Sequence, residues 1–241
     1  MKKLLTIAVA SIAVAAAADN AYSPSIGVTS IGLSQKNNVI PVQFNSLATS
    51  GNVTAGELVC TNNIPPSSHL YVYDDGWTAW ELQASGWAPV TTVTADGITG
   101  GSGADTKYLP AGSAIWLSFP NTPDPAINVS FYGKVATSTN TTITAGTESA
   151  AVSTLVCNPT GTTIIGTALT TKLSTIVEPK DKIIPLDATF DGYYSYSNKD
   201  KVWKKVVGAT STEADLPDVG ANSGFWYVKE KGNTKGGSIV W

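Results

Sequence analysis

The strongest constraint on what this chain can fold into is an internal repetition. Val39-Ile-Pro-Val-Gln-Phe44-Asn-Ser46 is echoed by Val152-Ser-Thr-Leu-Val-Cys157-Asn-Pro159, and His69-Leu-Tyr-Val-Tyr-Asp74 by Lys182-Ile-Ile-Pro-Leu-Asp187, each 113 positions on (39 to 152, 69 to 182). Gly76, Trp77, Trp80 and Trp87 then match Gly192, Tyr193, Tyr196 and Trp203 at an offset of 116 (76 to 192, 87 to 203). Leu109-Pro-Ala-Gly112 with Ile115-Trp116-Leu117 is echoed by Leu216-Pro217, Gly220 and Phe225-Trp226-Tyr227. Several anchors in one order point to a tandem duplication, which must be recognised before any single motif is weighed. The sequence divides into 1–18, a leader; 19–140, the first repeat domain; and 141–241, the second, with Thr137–Thr147 expected as a linker.

Each copy carries the signals of short strands. His69–Tyr73 alternates, Asp75-Gly76 is a hairpin turn whose residues tolerate positive φ, and Thr78–Leu82 returns. The second copy places Asp191-Gly192 at the same point. The 30 Thr, 22 Gly and 13 Pro suit strands and turns better than helices. Thr54-Ala-Gly-Glu57 has the spacing of a helix capping box, and Thr163–Leu169 is the matching place for a short helix in the second copy. The expected fold is all-β, with two tandem homologous antiparallel sandwich-like or barrel-like domains and at most one short helix in each.

These segments resemble those of a group of uncharacterised exported bacterial proteins that repeat such β units behind signal peptides. The resemblance rests on Asn158-Pro159, the Tyr-rich hairpin, the Leu-Pro-x-Gly turn Leu109–Gly112 with its one-residue-longer echo Leu216–Gly220 leading to Gly224-Phe-Trp-Tyr-Val228, and the closing strand Ser130-Phe-Tyr-Gly-Lys-Val135. The first copy departs from it, with Phe44-Asn45-Ser46 in place of Asn-Pro and Ser113-Ala114 in place of the second Gly. The resemblance implies repeated β units and export, and it carries over no catalytic residue.

The leader reads directly from its residues. Met1-Lys2-Lys3 is charged, Leu4–Ala17 is apolar but too short to span a bilayer comfortably, and Ala16-Ala17-Ala18 offers a peptidase small residues. Cleavage after Ala18 is expected to leave Asp19 first, in an extracellular, cell-surface or periplasmic location, with no transmembrane segment in the mature chain. That mature chain has 13 Lys, no Arg and 18 acids. An acidic chain without Arg is not a nucleic-acid binder. Residues 19–140 hold 3 Lys and 8 acids, whereas 141–241 hold 10 of each, an asymmetry that suits self-association or attachment to a cell-surface polymer.

Catalytic and metal chemistry has little to build on. The single His, His69, corresponds to Lys182 and reads as a solvated strand start. Asp96 and Asp105 flank Gly97–Ala104, and Asp74, Asp75, Asp187 and Asp191 lie at hairpins. The loop offers the oxygen ligands calcium takes, but without the dense acidic spacing of a dedicated site. Exposed turns use the same residues, so no cofactor is expected. Cys60 and Cys157 fall at non-equivalent places, Cys157 matching the apolar Phe44, so two buried thiols are favoured over a bridge.

The aromatics are the remaining candidates. Trp77, Trp80, Trp87 and Trp116 match Tyr193, Tyr196, Trp203 and Trp226, and a position aromatic in both copies is expected to pack the fold. Tyr71, Tyr73, Tyr108 and Tyr194 are aromatic in one copy only and are the candidate ligand contacts. The expected role is that of an exported, non-catalytic structural or adhesive surface protein, with a carbohydrate-binding module using surface aromatics as the alternative.

Overall fold

The computed structural model of the protein describes residues 26–47, 52–58, 63–73, 76–90, 99–100, 108–135, 139–160, 162–186, 191–220 and 223–241. The leader, Cys60, Asp74, Asp75, Asp96, Asp105 and Asp187 lie outside these residues. The chain is all-β. In its first part run β1 (Ile26–Leu33), β2 (Asn37–Pro41), β3 (Phe44–Asn45), β4 (Val53–Thr54), the single-turn helix α1 (Ala55–Leu58), β5 (His69–Tyr73), β6 (Trp77–Gln83), β7 (Gly86–Pro89), β8 (Thr99–Gly100), β9 (Tyr108–Leu109), β10 (Ala114–Ser118) and β11 (Ile127–Val135). There follow β12 (Asn140–Ile143), β13 (Val152–Cys157), helix α2 (Gly166–Leu173), β14 (Lys182–Pro185), β15 (Tyr193–Ser197), β16 (Val202–Val207), β17 (Thr210–Glu213), β18 (Gly224–Lys229) and β19 (Gly237–Val240).

Two sheets organise the molecule. One has the order β2-β10-β5-β6-β7, with β8 parallel to β6; the other has the order β13-β18-β14-β15-β16-β17, antiparallel throughout. The first five strands of each follow one order. The smaller pairings recur too: β1 with β11 and β12 with β19, and Val53↔Leu109 in β4–β9 beside the bridge Ile164↔Val219. Helix α1 realises the capping box: Glu57 N donates to Thr54 Oγ1 at 3.1 Å and Thr54 N donates to Glu57 Oε2 at 3.5 Å. Helix α2 borrows its cap instead, Gly166 N donating to Asp218 Oδ1 at 2.9 Å. There a carboxylate meets the positive end of the helix dipole.

Each sheet turns one face to its own core. In the first, Ile40, Leu70, Trp80, Ile115 and Leu117 pack against Leu33, Val129 and Phe131 from β1 and β11. In the second, Val156, Ile183, Tyr194, Phe225 and Tyr227 pack against Leu169 and Leu173 of α2 and against Ile143 and Ile239 of β12 and β19.

Ladder register corrects several equivalences expected from spacing. Pro41 lies opposite Ala114 as Cys157 lies opposite Gly224, so Cys157 corresponds to Pro41 rather than Phe44. Leu70 pairs with Trp80 as Ile183 pairs with Tyr194, so Trp80 corresponds to Tyr194 rather than Tyr196. Tyr196 stands instead where Leu82 does, each opposite the Trp of the next strand. Carried three residues back from Trp80 and Tyr194, the same register gives Trp77 the exposed Asp191, rather than Tyr193, as its counterpart. Val219, not Leu216, takes the place of Leu109. The physical reason is that insertions sit in turns, where they cost least. Read from the ladders, the offset between equivalent residues is 116 at Pro41, 113 at Leu70, 114 at Trp80, 116 at Trp87 and 110 at Leu109, so gains and losses between strands partly cancel and the spacing of the anchors conceals them. A further difference concerns the expected linker: Asn140–Ile143 within it form β12, with Thr141 and Ile143 buried on one face against β19.

Tyr194, expected as a free surface aromatic, is 7% exposed and belongs to the second core, like its counterpart Trp80 at 1%; Tyr108 is 59% exposed. Trp80→Ala and Tyr194→Ala are each expected to cost roughly 3–5 kcal/mol in chemical denaturation. Tyr108→Ala is expected to stay within about 0.5 kcal/mol.

Candidate functional site

The face of the first sheet that looks away from its core gathers the aromatics. Strict alternation along β5 puts Leu70 and Val72 inside and His69, Tyr71 and Tyr73 on the opposite face. Cross-strand pairing then sets Trp77 beside Tyr73 and Trp116 beside Tyr71. Trp226 reaches this face from β18 of the other sheet. Trp77 is the hub, with ring centroids 6.0 Å from Tyr71, 5.2 Å from Tyr73, 6.2 Å from Trp116 and 5.8 Å from Trp226. Tyr73 also meets Trp226 at 5.2 Å.

These rings stand edge to face, at interplanar angles of 71–88°. In that geometry the positive edge of one ring meets the negative face of the next, worth about 0.5–1.5 kcal/mol per pair beyond the area buried. It also means that successive faces are not coplanar. The exception is the half-buried pair of His69 and Tyr71, stacked at 5.9 Å and 19°. Burial pushes the Tyr71 phenol above its ordinary pKa.

An aliphatic seam continues the contact. Ala114 packs with Leu155 and Cys157, and Val39, Leu186 and Trp226 close over them. A cleft of about 600 Å³ runs along this line, bounded by Leu33–Val39 and Trp116 on one side and by Pro185, Leu186, Ser223 and Gly224 on the other. Thr141 Oγ1 adds a polar tie, donating to Gly112 O at 2.5 Å and receiving Trp241 Nε1 at 2.6 Å.

Of the sequence candidates, Tyr71 and Tyr73 come together in this cluster, Tyr108 lies exposed on β9, and Tyr194 lies in the second core. His69, expected to be solvated, is half-buried against Tyr71. Lys182 at the equivalent place pairs with Glu230 and lies 5.6 Å over the Tyr193 ring. Asp191 is exposed, and no three His, Cys, Asp or Glu among the described residues are placed to hold a metal ion. No helix among them is long and apolar enough to cross a membrane.

Spacing alone did not reveal a second constellation, inside the second core. Lys229, 0% exposed, donates to Asp181 Oδ2 at 2.9 Å, Glu178 Oε2 at 3.0 Å and Ile176 O at 2.6 Å. Asp181, equally buried, also accepts from Tyr227 Oη at 2.8 Å, Glu178 N at 2.9 Å and Asn233 Nδ2 at 2.7 Å. Burial and the adjoining Asp181 carboxylate push the Tyr227 phenol far above its ordinary pKa. The signal was present in the strand: Phe225, Tyr227 and Lys229 alternate on one face, so an inward Phe and Tyr imply an inward Lys.

No protein-family model, characterised protein or solved structure matches the chain.

Cys157 is a free, buried thiol that donates to Ser223 O at 3.1 Å, and its pKa is driven up by burial. A thiol held protonated is a poor nucleophile. Cys157 should therefore resist an alkylating reagent at pH 8 in the folded protein and be labelled once the unreduced protein is denatured, as read by peptide mass mapping.

Proposed function

We propose that this is an exported, non-catalytic structural or adhesive protein of the bacterial surface, built from two homologous β units within 19–140 and 141–241. The observation that carries this reading is the aromatic seam. Tyr71, Tyr73, Trp77, Trp116 and Trp226 turn edges into one another's faces, and they join the two sheets rather than presenting a flat platform. The recurring strand order supports two homologous units, and the leader with its small-residue cleavage site supports export. The unequal charge of the two parts supports association with further copies or with a surface polymer.

A carbohydrate-binding module is the second reading. The half-buried Tyr71 with His69 stacked on it is the observation that favours it, since a sugar ring stacks on such a surface.

Negative-stain microscopy of the mature protein, with retention on insoluble polysaccharide, separates the two. The structural reading expects fibres or sheets and no retention. It also expects Trp77→Ala to lower the melting temperature by about 4–8 °C, the equivalent of about 2 kcal/mol for a chain of this size. Polysaccharide retention that Tyr71→Ala abolishes at unchanged melting temperature would establish the binding module instead.

A further inference from the structure

The buried Lys229 cluster has the parts of a covalent crosslink. In the corresponding places of the first sheet stand Phe119, one residue beyond β10, and Ser68, one residue before β5. Both are buried, and Phe119 is fully apolar. The layout of strands therefore does not require charge at this point. The second part of the chain nonetheless encloses one ammonium and two carboxylates there, with Lys229 and Asp181 wholly buried and Glu178 reaching the surface. Enclosing separate charges is costly even when they are paired, and an apolar filling is often as stable.

The arrangement around these charges is directional. Nζ of Lys229, a nitrogen nucleophile once deprotonated, lies 2.9 Å from one oxygen of the Asp181 carboxyl group. Glu178 Oε2, 3.0 Å from the same nitrogen, is placed to accept a proton from it. The other carboxyl oxygen, Asp181 Oδ1, receives Asn233 Nδ2 at 2.7 Å and Glu230 N at 3.4 Å. Donors aimed there stabilise the negative charge that an attack on the carboxyl carbon would develop. Tyr227 Oη and Glu178 N donate to Oδ2, the oxygen that would depart. Lys229 Nζ and the Asp181 carboxyl group are wholly buried, and exclusion of bulk water from them favours an amide over its hydrolysed parts.

We propose that Lys229 and Asp181 condense after folding into an intramolecular amide bond, with Glu178 as the proton carrier. The ammonium passes its first proton to Oδ2, and the free amine attacks Cγ of Asp181, forming the C–N bond. The nitrogen gives up its second proton to Glu178, which delivers it to the departing Oδ2 hydroxyl. The Cγ–Oδ2 bond breaks and one water leaves. Nitrogen loses two protons, oxygen gains two, Glu178 ends as it began, and no oxidant or reductant takes part. The product is neutral, so Glu178 is the only charge left and it borders solvent. This inference concerns the second part of the chain alone and holds whether the protein is structural or sugar-binding.

Intact mass spectrometry of the mature protein, referred to its measured N-terminus, tests it directly. The expected mass is one water below that of the sequence, with a proteolytic fragment in which the Lys229 and Asp181 peptides remain joined. Glu178→Gln is expected to restore the full mass. A double variant, Lys229→Met with Asp181→Ser, copies the apolar filling of the first sheet; it is expected to fold and to show the full mass. A wild-type protein at full mass, with the two peptides separate, overturns the proposal. So does a missing water that maps elsewhere or that persists in the double variant.

Discussion

A β-sheet that is apolar on both faces needs two covers, and the central sheets of this protein are apolar on both. Val39 and Ile40 are adjacent in β2, Leu155 and Val156 in β13, and Ile115, Trp116 and Leu117 run consecutively in β10. Alternation sends half of each set inward, where β1 and β11, or α2 with β12 and β19, close over them. The other half points outward, and water would be its only neighbour if each sheet stood alone. The two outward faces meet instead, through Val39, Ala114, Leu155, Cys157, Leu186 and the ring cluster centred on Trp77. Leu155 and Cys157 are buried there, and the half-buried Val39, Leu186 and ring cluster each add a part of the roughly 1.5–3 kcal/mol that a fully buried large apolar side chain contributes.

The two parts solve one packing problem in different ways. Beside the strand that follows Leu117, the first fills its core with Phe119 and closes the neighbouring turn through Ser68, whose Oγ donates to Pro65 O at 2.6 Å. The second places Lys229 and Asp181 there and ties the segment after α2 to β18 through Ile176 O, Glu178 and Asn233. Every donor on Nζ finds an acceptor, as a buried ammonium requires. The consequence is a polar knot on the face of β18 opposite Trp226 and the aromatic seam, where the first part of the chain has an apolar filling.

Much of the fold was legible in the residues. Alternation in His69–Tyr73 gave β5, and Thr54 with Glu57 gave the capped turn of α1. Relative register was not legible. Tyr193, Tyr194 and Tyr196 lie so close together that a slide of two residues still sets aromatic against aromatic, and the ladder alone decides that Tyr194 takes the place of Trp80. This reverses two roles: Tyr194 joins the core, while Trp77, without an aromatic counterpart, becomes the hub of the seam. The Thr-rich run that holds β12 has a single strong apolar residue, Ile143, too few to mark a strand before β19 is seen beside it. Lys229 was hidden by the ordinary expectation that lysine faces solvent, although Phe225 and Tyr227 on the same face fixed its direction.

The central claim is that the outward faces of the two sheets stabilise each other, so that neither part of the chain is independent. Differential scanning calorimetry of the mature protein tests this most directly. Mutual burial predicts one cooperative transition whose calorimetric and van't Hoff enthalpies agree. Two resolved transitions, each with the enthalpy of about a hundred-residue domain, would show that the sheets fold independently and would contradict the account.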